Sequence, residues 1–402
     1  MKYTLRAAAF LLLAATALTA PAQAQDVPPV VSAIFKSWET QLRATPAYDK
    51  IETDSSGKVT ISNLVATVGA QDPSTSMKLS IGSIALENIA AEADGLIVVG
   101  SATFSDTKME FTGPDNKSFV IQVPKSGAED WYVAVPGDNP TPMQAFRSTM
   151  AIAKRMTSGE ITITAEGQTL TAKGIETAWS GDPVTGAGKT TMSFNDIIVP
   201  ESAIAMIDPT GQLKALGYSD ITLNASGEGE FTVAGDSFGM SGTVGLSGKD
   251  MAGFTFSYGA SDVPIAVMTE MQAAQKSGRP PDFNRLMPQL MNVSLSGLTI
   301  RFEDASITKK VLPLIARMQG MDEAAMVANA GAMMQLSLMQ LRNQAFTDQV
   351  VAAVNAFLKD PKSFTVSFSP AAPVKVQELM MLDPANPGAA VDVLGISVTA
   401  ND

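Results

Sequence analysis

Hydrophobic and polar residues alternate in many short stretches of the chain, and valine, isoleucine and threonine are frequent in these stretches. A two-residue period is typical of antiparallel strands that bury one face. Turn residues, many of them glycines, separate one stretch from the next. In the first third of the chain the alternating stretches are residues 58–68, 77–89, 95–104, 107–112, 119–124 and 130–136. The pattern therefore predicts an N-terminal region of antiparallel strands.

The same alternation returns after residue 158 and continues into the second half of the chain. It predicts strands near residues 160–180, 190–199, 216–260 and 291–304. A final strand pair is predicted at 363–368 and 374–379. The apolar stretch VLGISVTA at 393–400 predicts one edge strand.

Apolar residues at three- and four-residue spacing interrupt the strands and predict amphipathic helices. Pro28 and Pro29 stand at the start of a short docking helix over residues 27–42. Three further helices are predicted at 143–156, which ends at Ser158-Gly159, at 202–216, with a break at Asp208-Pro209, and at 264–276.

The longest segment with helical apolar spacing covers residues 307–360 and predicts one or two long helices. Met326, Met333, Leu336 and Met339 belong to its apolar stripe. We expect this stripe to be buried, because a large apolar face needs a cover. The cover is either the protein's own sheet or an apolar ligand, since flexible methionine side chains adapt to both. These four residues are therefore the candidate ligand-lining residues.

The order of these elements predicts an α+β fold. We expect an elongated, curved antiparallel β-sheet with amphipathic helices packed on one face, built from loosely repeated helix–strand units. The predicted regions are a signal peptide at 1–24, an N-terminal helix and β-rich region at 25–140, a helix and β-meander at 141–262, a helix-rich region with closing strands at 263–382, and a tail at 383–402.

The first residues have the pattern of a secretory signal. Lys2 and Arg6 precede an apolar stretch over residues 7–20, and Ala22-Gln23-Ala24 provides the small residues of a cleavage site. We expect export by a Sec-type route to the periplasm, with a mature N-terminus near Gln25. No later segment has the composition of a membrane-spanning helix, because charged residues and glutamines interrupt the apolar stretch over 312–341.

Composition limits the classes of partner. The 402-residue chain is 45% hydrophobic and 17% charged, so it can bury a large core. Its formal net charge of −12 should repel phosphate backbones, and we expect no nucleic-acid partner. The chain has no cysteine, so no disulfide can stabilise it in an oxidising compartment.

The chain also has no histidine, which limits the chemistry it can perform. Serine and cysteine nucleophiles activated by histidine are excluded, and tetrahedral zinc sites lose their usual ligands. Ser105 with Lys108, and Ser306 with Lys309, have the spacing of a serine–lysine dyad. Ser105 lies between predicted strands, however, and Ser306 is better explained as the N-cap of a helix.

Oxygen-based sites give weak signals. The loops at residues 113–116 and 181–182 contain aspartates that could bind calcium weakly, but turn chemistry explains these residues better. A carboxylate pair for glycoside cleavage stays open in so acidic a chain, although no aromatic-lined acidic cleft is visible. We therefore expect a non-enzymatic protein with no cofactor and no metal.

Three stretches carry a resemblance to a known group of proteins. They are LGYSDITLNASGEGEF at 216–231, SLSGLTIRFEDASITKKVLPLIA at 294–316 and AVNAFLKDPKSFTVSFSPAAPVKVQEL at 353–379. This second half resembles uncharacterised exported envelope proteins of Gram-negative bacteria, similar to the DUF945 and AsmA-like groups. The resemblance implies a role in envelope lipid homeostasis. The chain departs from AsmA-like proteins because it has a cleavable signal where they have an N-terminal membrane anchor.

Two functions follow from these expectations. The first is a periplasmic, non-enzymatic binding protein for an apolar ligand or envelope component, with lipid as the expected class, in a groove between sheet and helices. The second is a structural or interaction module of the cell envelope that binds protein partners.

Overall fold

The computed structural model describes residues 27–42, 45–68, 76–92, 95–113, 118–134, 141–148, 150–277, 279–383 and 385–402. The predicted signal peptide at 1–24 lies outside these residues. The described residues form 17 β-strands, all paired antiparallel, and 11 α-helices, which confirms the predicted α+β class. None of the helices described is long and apolar enough to cross a membrane.

Contacts divide the chain into two compact units. The first contains the described residues up to Ala203 together with Met268–Pro281, and the second contains Ile204–Val267 and Asp282–Asp402. This division is coarser than the regions expected from the sequence, which stay a prediction.

The first unit contains helices near its start, in its middle and from the Met268–Pro281 segment, with ten strands between them. The helices are α1 (Pro29–Leu42), α2 (Pro142–Arg147), the first three residues of α3 (Glu201–Ile207) and most of α5 (Ile265–Ser277). The strands are β1 (Lys50–Thr53), β2 (Val59–Val68), β3 (Ser76–Ala91), β4 (Leu96–Thr112), β5 (Ser118–Ala134), β6 (Ile152–Ser158), β7 (Ile161–Ala165), β8 (Gln168–Ala172), β9 (Gly174–Gly181) and β10 (Gly188–Val199).

These strands form an antiparallel meander. Strands β1 to β5 pair each with the next along the chain. β5 then pairs with β6 through one half and with β7 through the other, because β6 and β7 follow each other as one long strand bent at Gly159. They pair in turn with β9 and β8, and β10 closes the meander on β9.

Four residues in the left-handed backbone conformation kink strands β2 to β5. They are Asn63 (φ 50°), Asn88 (φ 54°), Asp106 (φ 54°) and Asp130 (φ 45°). Asparagine and aspartate adopt this conformation more readily than other residues that carry a Cβ. At each kink the two-residue alternation shifts by one position. In β2, for example, Val59 and Ile61 before Asn63 and Leu64 and Ala66 after it are all buried.

Glycines stand where the kinks of neighbouring strands meet. A Cβ on Gly82 would lie 3.1 Å from the Cβ of Asp106, and one on Gly100 would lie 2.9 Å from the Cβ of Asn88. Both distances are shorter than ordinary contacts between side chains, so only glycine lets the strands approach. Irregularities of this kind bend the strands that carry them and increase their local twist.

Helix α1 packs on that apolar face and forms the core of the first unit. Val31 and Ile34 are fully buried there against β2 to β4, where Ile61, Leu64 and Leu86 are also inaccessible. The apolar face of α1 follows the spacing that the sequence predicts for residues 27–42. The predicted docking helix is therefore confirmed.

The predicted helix over residues 143–156 is wrong in its second half. Helix α2 ends at Arg147, although it begins as expected with a capping box in which the Thr141 side chain accepts from the Gln144 N–H at 3.2 Å. Ile152 and the residues after it form β6 and pair with β5, where Met156 lies opposite Ala128. Sheet hydrogen bonds and burial of Ile152 outweigh the local helical spacing.

The second unit contains the other seven described strands of the sheet and most of the helices. Its strands are β11 (Ile221–Ala234), β12 (Ser237–Gly248), β13 (Ala252–Pro264), β14 (Ser294–Asp304), β15 (Ser363–Phe368), β16 (Val374–Lys375) and β17 (Ile396–Ala400). Its helices are α4 (Gln212–Ala215), α6 (Phe283–Leu290), α7 (Ile307–Met318), α8 (Glu323–Leu338), α9 (Gln344–Lys359), α10 (Val376–Met380) and α11 (Pro387–Val393).

This part of the sheet is polar on one face and apolar on the other. Strands β11 to β15 pair in chain order, β16 adds to β14, and β17 pairs with β15 as the predicted edge strand. The register places one apolar row across five strands: Val244, Phe256, Ile300, Val366 and Val398. A row of the other face is hydroxylated: Thr243, Ser257, Thr299, Ser367 and Ser397.

Residues 307–360 form three helices and not one or two. Asp322 and Asn343 cap the starts of α8 and α9, each accepting a backbone N–H three residues ahead at 2.7 Å and 3.0 Å. Helix α9 packs on β15 and β17, where Val350, Ala353 and Val398 are buried. Helix α8 packs on α9 and reaches this cluster through Met334 and Leu338.

The predicted strand at 374–379 is wrong after its first two residues. Only Val374 and Lys375 pair with β14, and the chain then turns into α10. The pairing ends because β14 begins at Ser294, opposite Lys375, so no further partner strand is present.

Candidate functional site

A cavity of about 400 Å³ lies within the first unit, between α1 and the apolar face of the meander. Aromatic and methionine side chains provide much of its wall: Trp38, Phe104, Trp131, Tyr132, Phe194, Met109, Met150, Met156 and Met192. Met192 is 38% exposed, so the wall reaches the surface on β10. We define this cavity with its lining residues as the candidate site.

The fold brings these side chains together by two local devices. On α1, Ile34, Ser37 and Trp38 lie three and four residues apart and so line the cavity from one helix face. On β4, the kink at Asp106 shifts the alternation, so that Phe104 before it and Met109 after it face the same side. Regular alternation would turn one of the two away from the cavity.

Among the described residues that line the cavity, none is charged. Its polar side-chain groups are hydroxyls and the indole N–H groups of two tryptophans, and some of the hydroxyls have protein partners. The Ser148 hydroxyl donates to the Ala145 carbonyl at 2.7 Å, and the Ser158 oxygen accepts from the Ile175 N–H at 2.9 Å. The Thr107 hydroxyl is buried and has no hydrogen-bond partner among the described residues.

A buried arginine holds one end of the cavity wall in place. Arg147 is 2% exposed and donates to the carbonyls of Pro183, Met150 and Tyr132 at 2.7, 3.1 and 3.2 Å. Burial lowers the pKa of its guanidinium to about 10, against the opposing effect of the Asp182 carboxylate. The guanidinium remains charged at neutral pH, and it joins two lining residues to the loop after β9.

Asp182 itself belongs to a turn. Its carboxylate accepts from the Thr185 hydroxyl at 2.7 Å and from the Val184 N–H at 3.0 Å. The Thr185 hydrogen bond is the main reason that the pKa of Asp182 is below its usual value. The described residues contain no cluster of three or more acidic side chains that could hold a metal ion.

The four residues predicted from the Met-rich segment lie on or next to α8 in the second unit, not at this cavity. Met326 is half-buried, whereas Met333, Leu336 and Met339 are 69%, 67% and 65% exposed. The expectation that these three are buried is wrong, because α8 uses its other face, with Met334 and Leu338, to pack on α9. Their predicted role as ligand-lining residues stays a prediction.

The two serine–lysine pairs with the spacing of a dyad have other contacts. Lys108 forms an ion pair with Glu110 at 2.8 Å. The Ser306 hydroxyl lies 2.9 Å from the Tyr218 hydroxyl and donates to the Asp250 carbonyl, and it does not cap α7 as predicted. Asp304 accepts from the Thr308 N–H there, at 2.7 Å.

The second unit has an apolar surface that is open to solvent. Val244, Leu246, Phe254, Leu298 and Ile300 are between 37% and 47% exposed. They lie on the face of strands β12 to β14 that α9 covers farther along, at β15, β17 and Phe302 of β14, whose ring contacts Phe357. We call these five residues the open sheet face.

The cavity was not predicted from the sequence. The signal that could have found it is the break in alternation between Phe104 and Thr107, where an aspartate separates two half-strands with the same apolar face. Trp38, on the apolar face of the predicted docking helix, is the second signal. Neither identifies a cavity until the strands are placed side by side.

The fold and the cavity together define a β-rich α+β protein with an uncharged, apolar site. A protein-family model described as an uncharacterized protein matches residues 245–401, most of which lie in the second unit. A search of curated proteins finds no match.

Proposed function

We propose that this protein is an exported, non-enzymatic binding protein for an apolar small molecule of the lipid class, and that the cavity of the first unit is its binding site. The observation that carries the proposal is the cavity itself. A volume of about 400 Å³ falls in the range of roughly 300–1,000 Å³ that small-molecule sites occupy. Its wall of aromatic and methionine side chains favours an apolar occupant.

The chemistry of the wall supports a flexible ligand. Apolar surface removed from water contributes about 25 cal/mol per Å², and a chain-like ligand in this cavity would bury most of its surface. Four methionines line the cavity, and their unbranched side chains adjust to an irregular or mobile partner. Trp38 and Trp131 add large, rigid contact surfaces.

The proposed binding site is not the groove that was expected from the sequence. The groove beside the Met-rich helix is replaced by the cavity between α1 and the meander, because the cavity is lined on several sides while Met333, Leu336 and Met339 are exposed. The ligand class is unchanged.

The sequence supports the compartment and the class of ligand. The secretory signal with cleavage near Gln25 would deliver the protein to the periplasm. The resemblance of the second half to DUF945 and AsmA-like envelope proteins favours lipid over other apolar compounds.

The open sheet face favours a second candidate, an interaction module of the envelope that binds protein partners. Five large apolar side chains in register across three strands exceed the scattered exposure that is common on soluble proteins. This function is compatible with ligand binding in the first unit.

Intrinsic fluorescence provides a direct test of the ligand proposal. Two of the three tryptophans, Trp38 and Trp131, line the cavity, and Trp179 does not. A long-chain fatty alcohol with bromine atoms at mid-chain should quench the wild-type protein and the Trp179→Phe variant in a saturable way. The double variant Trp38→Phe/Trp131→Phe should show little quenching.

A pair of serine variants controls for binding elsewhere. Ser126 lines the cavity, so the phenylalanine side chain of Ser126→Phe should fill part of it. We expect the probe concentration that gives half-maximal quenching to rise at least tenfold. Ser101, on the neighbouring strand β4, is outside the lining. The probe should therefore quench the fluorescence of Ser101→Phe as strongly as that of wild type. Equal quenching of Trp179 and the two lining tryptophans would contradict the proposed site.

A further inference from the structure

One residue of the cavity wall has a buried side-chain polar atom without a hydrogen-bond partner among the described residues. The Thr107 hydroxyl oxygen is buried and makes no hydrogen bond to the described residues. Leaving such a group unsatisfied is costly, and nearly all buried side-chain polar atoms in proteins have a partner. A threonine in this position therefore calls for an explanation that a valine of the same shape would not need.

The local backbone places this threonine at the cavity. Asp106, in the left-handed conformation with φ of 54°, immediately precedes Thr107 and shifts the alternation of β4. The shift brings Thr107 to the same face as Met109, and Val123 lies opposite it in β5. All three residues line the cavity. A rotation about χ1 exchanges the hydroxyl and the methyl group, so the hydroxyl can turn towards an occupant.

The rest of the wall limits the charge of that occupant. No charged side chain is found among the described lining residues, and burying an unpaired charge is far more costly than burying a neutral polar group. The nearest buried cation, Arg147, directs three of its N–H groups at backbone carbonyls. The wall thus offers a hydroxyl but no counter-ion.

We infer that the ligand is an uncharged amphiphile with an apolar chain and one hydrogen-bonding oxygen, such as an alcohol or an ester, and that Thr107 binds this oxygen. The threonine hydroxyl both donates and accepts, so it serves a ligand hydroxyl and a carbonyl equally. The inference rests on the proposed function, since it specifies the ligand of the same cavity.

The test compares three probes of equal chain length: a fatty alcohol, the corresponding fatty acid at pH 8 and the corresponding alkane. Displacement of the brominated fatty alcohol gives the affinity of each. We expect wild-type protein to bind the alcohol at least fivefold more tightly than either the alkane or the ionised acid. Thr107→Val should reduce affinity for the alcohol about fivefold to tenfold and leave affinity for the alkane unchanged. Thr107→Ser should keep the preference for the alcohol.

A matched control and a second readout separate the outcomes. Thr103→Val changes a threonine on the same strand that is not part of the cavity lining, and it should alter none of the affinities. Ligand-free Thr107→Val should melt at a temperature equal to or higher than wild type, because it removes an unsatisfied hydroxyl. The inference would be overturned if Thr107→Val lost equal affinity for the alcohol and the alkane, or lost affinity for neither. It would also be overturned if wild type bound the acid more tightly than the alcohol. Each of these results would still leave an apolar binding site. Failure of every probe to bind wild type would instead overturn the proposed function.

Discussion

At the scale of single residues, the kinked strands of the first unit depend on pairs of unlike residues. An asparagine or aspartate in the left-handed conformation kinks one strand, and a glycine in the next strand gives it room, as Gly82 does for Asp106 and Gly100 for Asn88. These residues also decide which side chains face the cavity. Thr107 and Met109 reach its wall because Asp106 shifts the alternation of β4.

Gly100→Ala tests the close approach. Its new Cβ would lie 2.9 Å from the Cβ of Asn88, so two strands must separate or distort. We expect the first unit to lose roughly 1–3 kcal/mol in free energy of unfolding, the usual cost of overpacking, measured by urea denaturation. Gly253→Ala in β13, where the nearest atom would be 3.6 Å away, is the matched control and should change stability little. Equal effects of the two variants would contradict this account.

The contacts of the Asp402 carboxylate predict how the stability of the folded protein depends on pH. Its carboxylate accepts from the Thr399 hydroxyl, from Arg301 and from the Ser363 hydroxyl at 2.8, 2.7 and 3.0 Å. These contacts, Thr399 first, lower the pKa of Asp402 to about 2. Because the pKa is lower in the folded state, the stabilisation is complete above an ordinary carboxyl pKa near 4 and is lost as the pH falls through 2.

Melting temperatures of wild type and Asp402→Asn measure this contribution. We expect wild type to melt higher at pH 6 and the difference to shrink as the pH approaches 2. A difference that stays constant over this range would show that the carboxylate does not carry the effect.

At the scale of elements, local spacing predicted those helices and strands whose tertiary contacts agree with it. Helix α1 and strands β2 to β5 were predicted because their apolar residues recur at the period of the structure they form. Residues 152–156 were predicted as helix and fold as strand, because pairing with β5 depends on residues far away in the sequence. The cavity could not be predicted for the same reason, since α1 and five or more strands contribute to it.

Helix α8 shows how an apolar sequence can mislead. Its residues are apolar nearly all round, so spacing could not tell the packed face, with Met334 and Leu338, from the exposed one, with Met333 and Leu336. Position relative to α9 settles the difference, and that position is a tertiary property.

The two leucines of α8 provide a matched pair. Leu336→Asp should change the free energy of unfolding of the second unit by less than about 0.5 kcal/mol, as surface changes do. Leu338→Asp brings a charge into the cluster with Val350 and should cost roughly 2 kcal/mol or more. Chemical denaturation followed by circular dichroism measures both. Unfolding of the Leu336→Asp protein would contradict the exposed position of Leu336.

At the scale of the whole molecule, the candidate binding cavity and the open sheet face belong to different units. The first has an uncharged apolar cavity under a kinked meander, and the second has a sheet whose apolar face is covered by α9 at one side and open at the other. The matched family model covers mainly the second unit. The cavity proposed as the binding site therefore lies outside the residues that the family model matches.

The most direct measurement is native mass spectrometry of the protein isolated gently from the exported fraction. We expect the wild-type protein to carry one uncharged lipid per chain, released on denaturation, and Ser126→Phe to be isolated without it while Ser101→Phe retains it. Wild-type protein that carries no lipid and takes up none of the added probes would contradict the central claim.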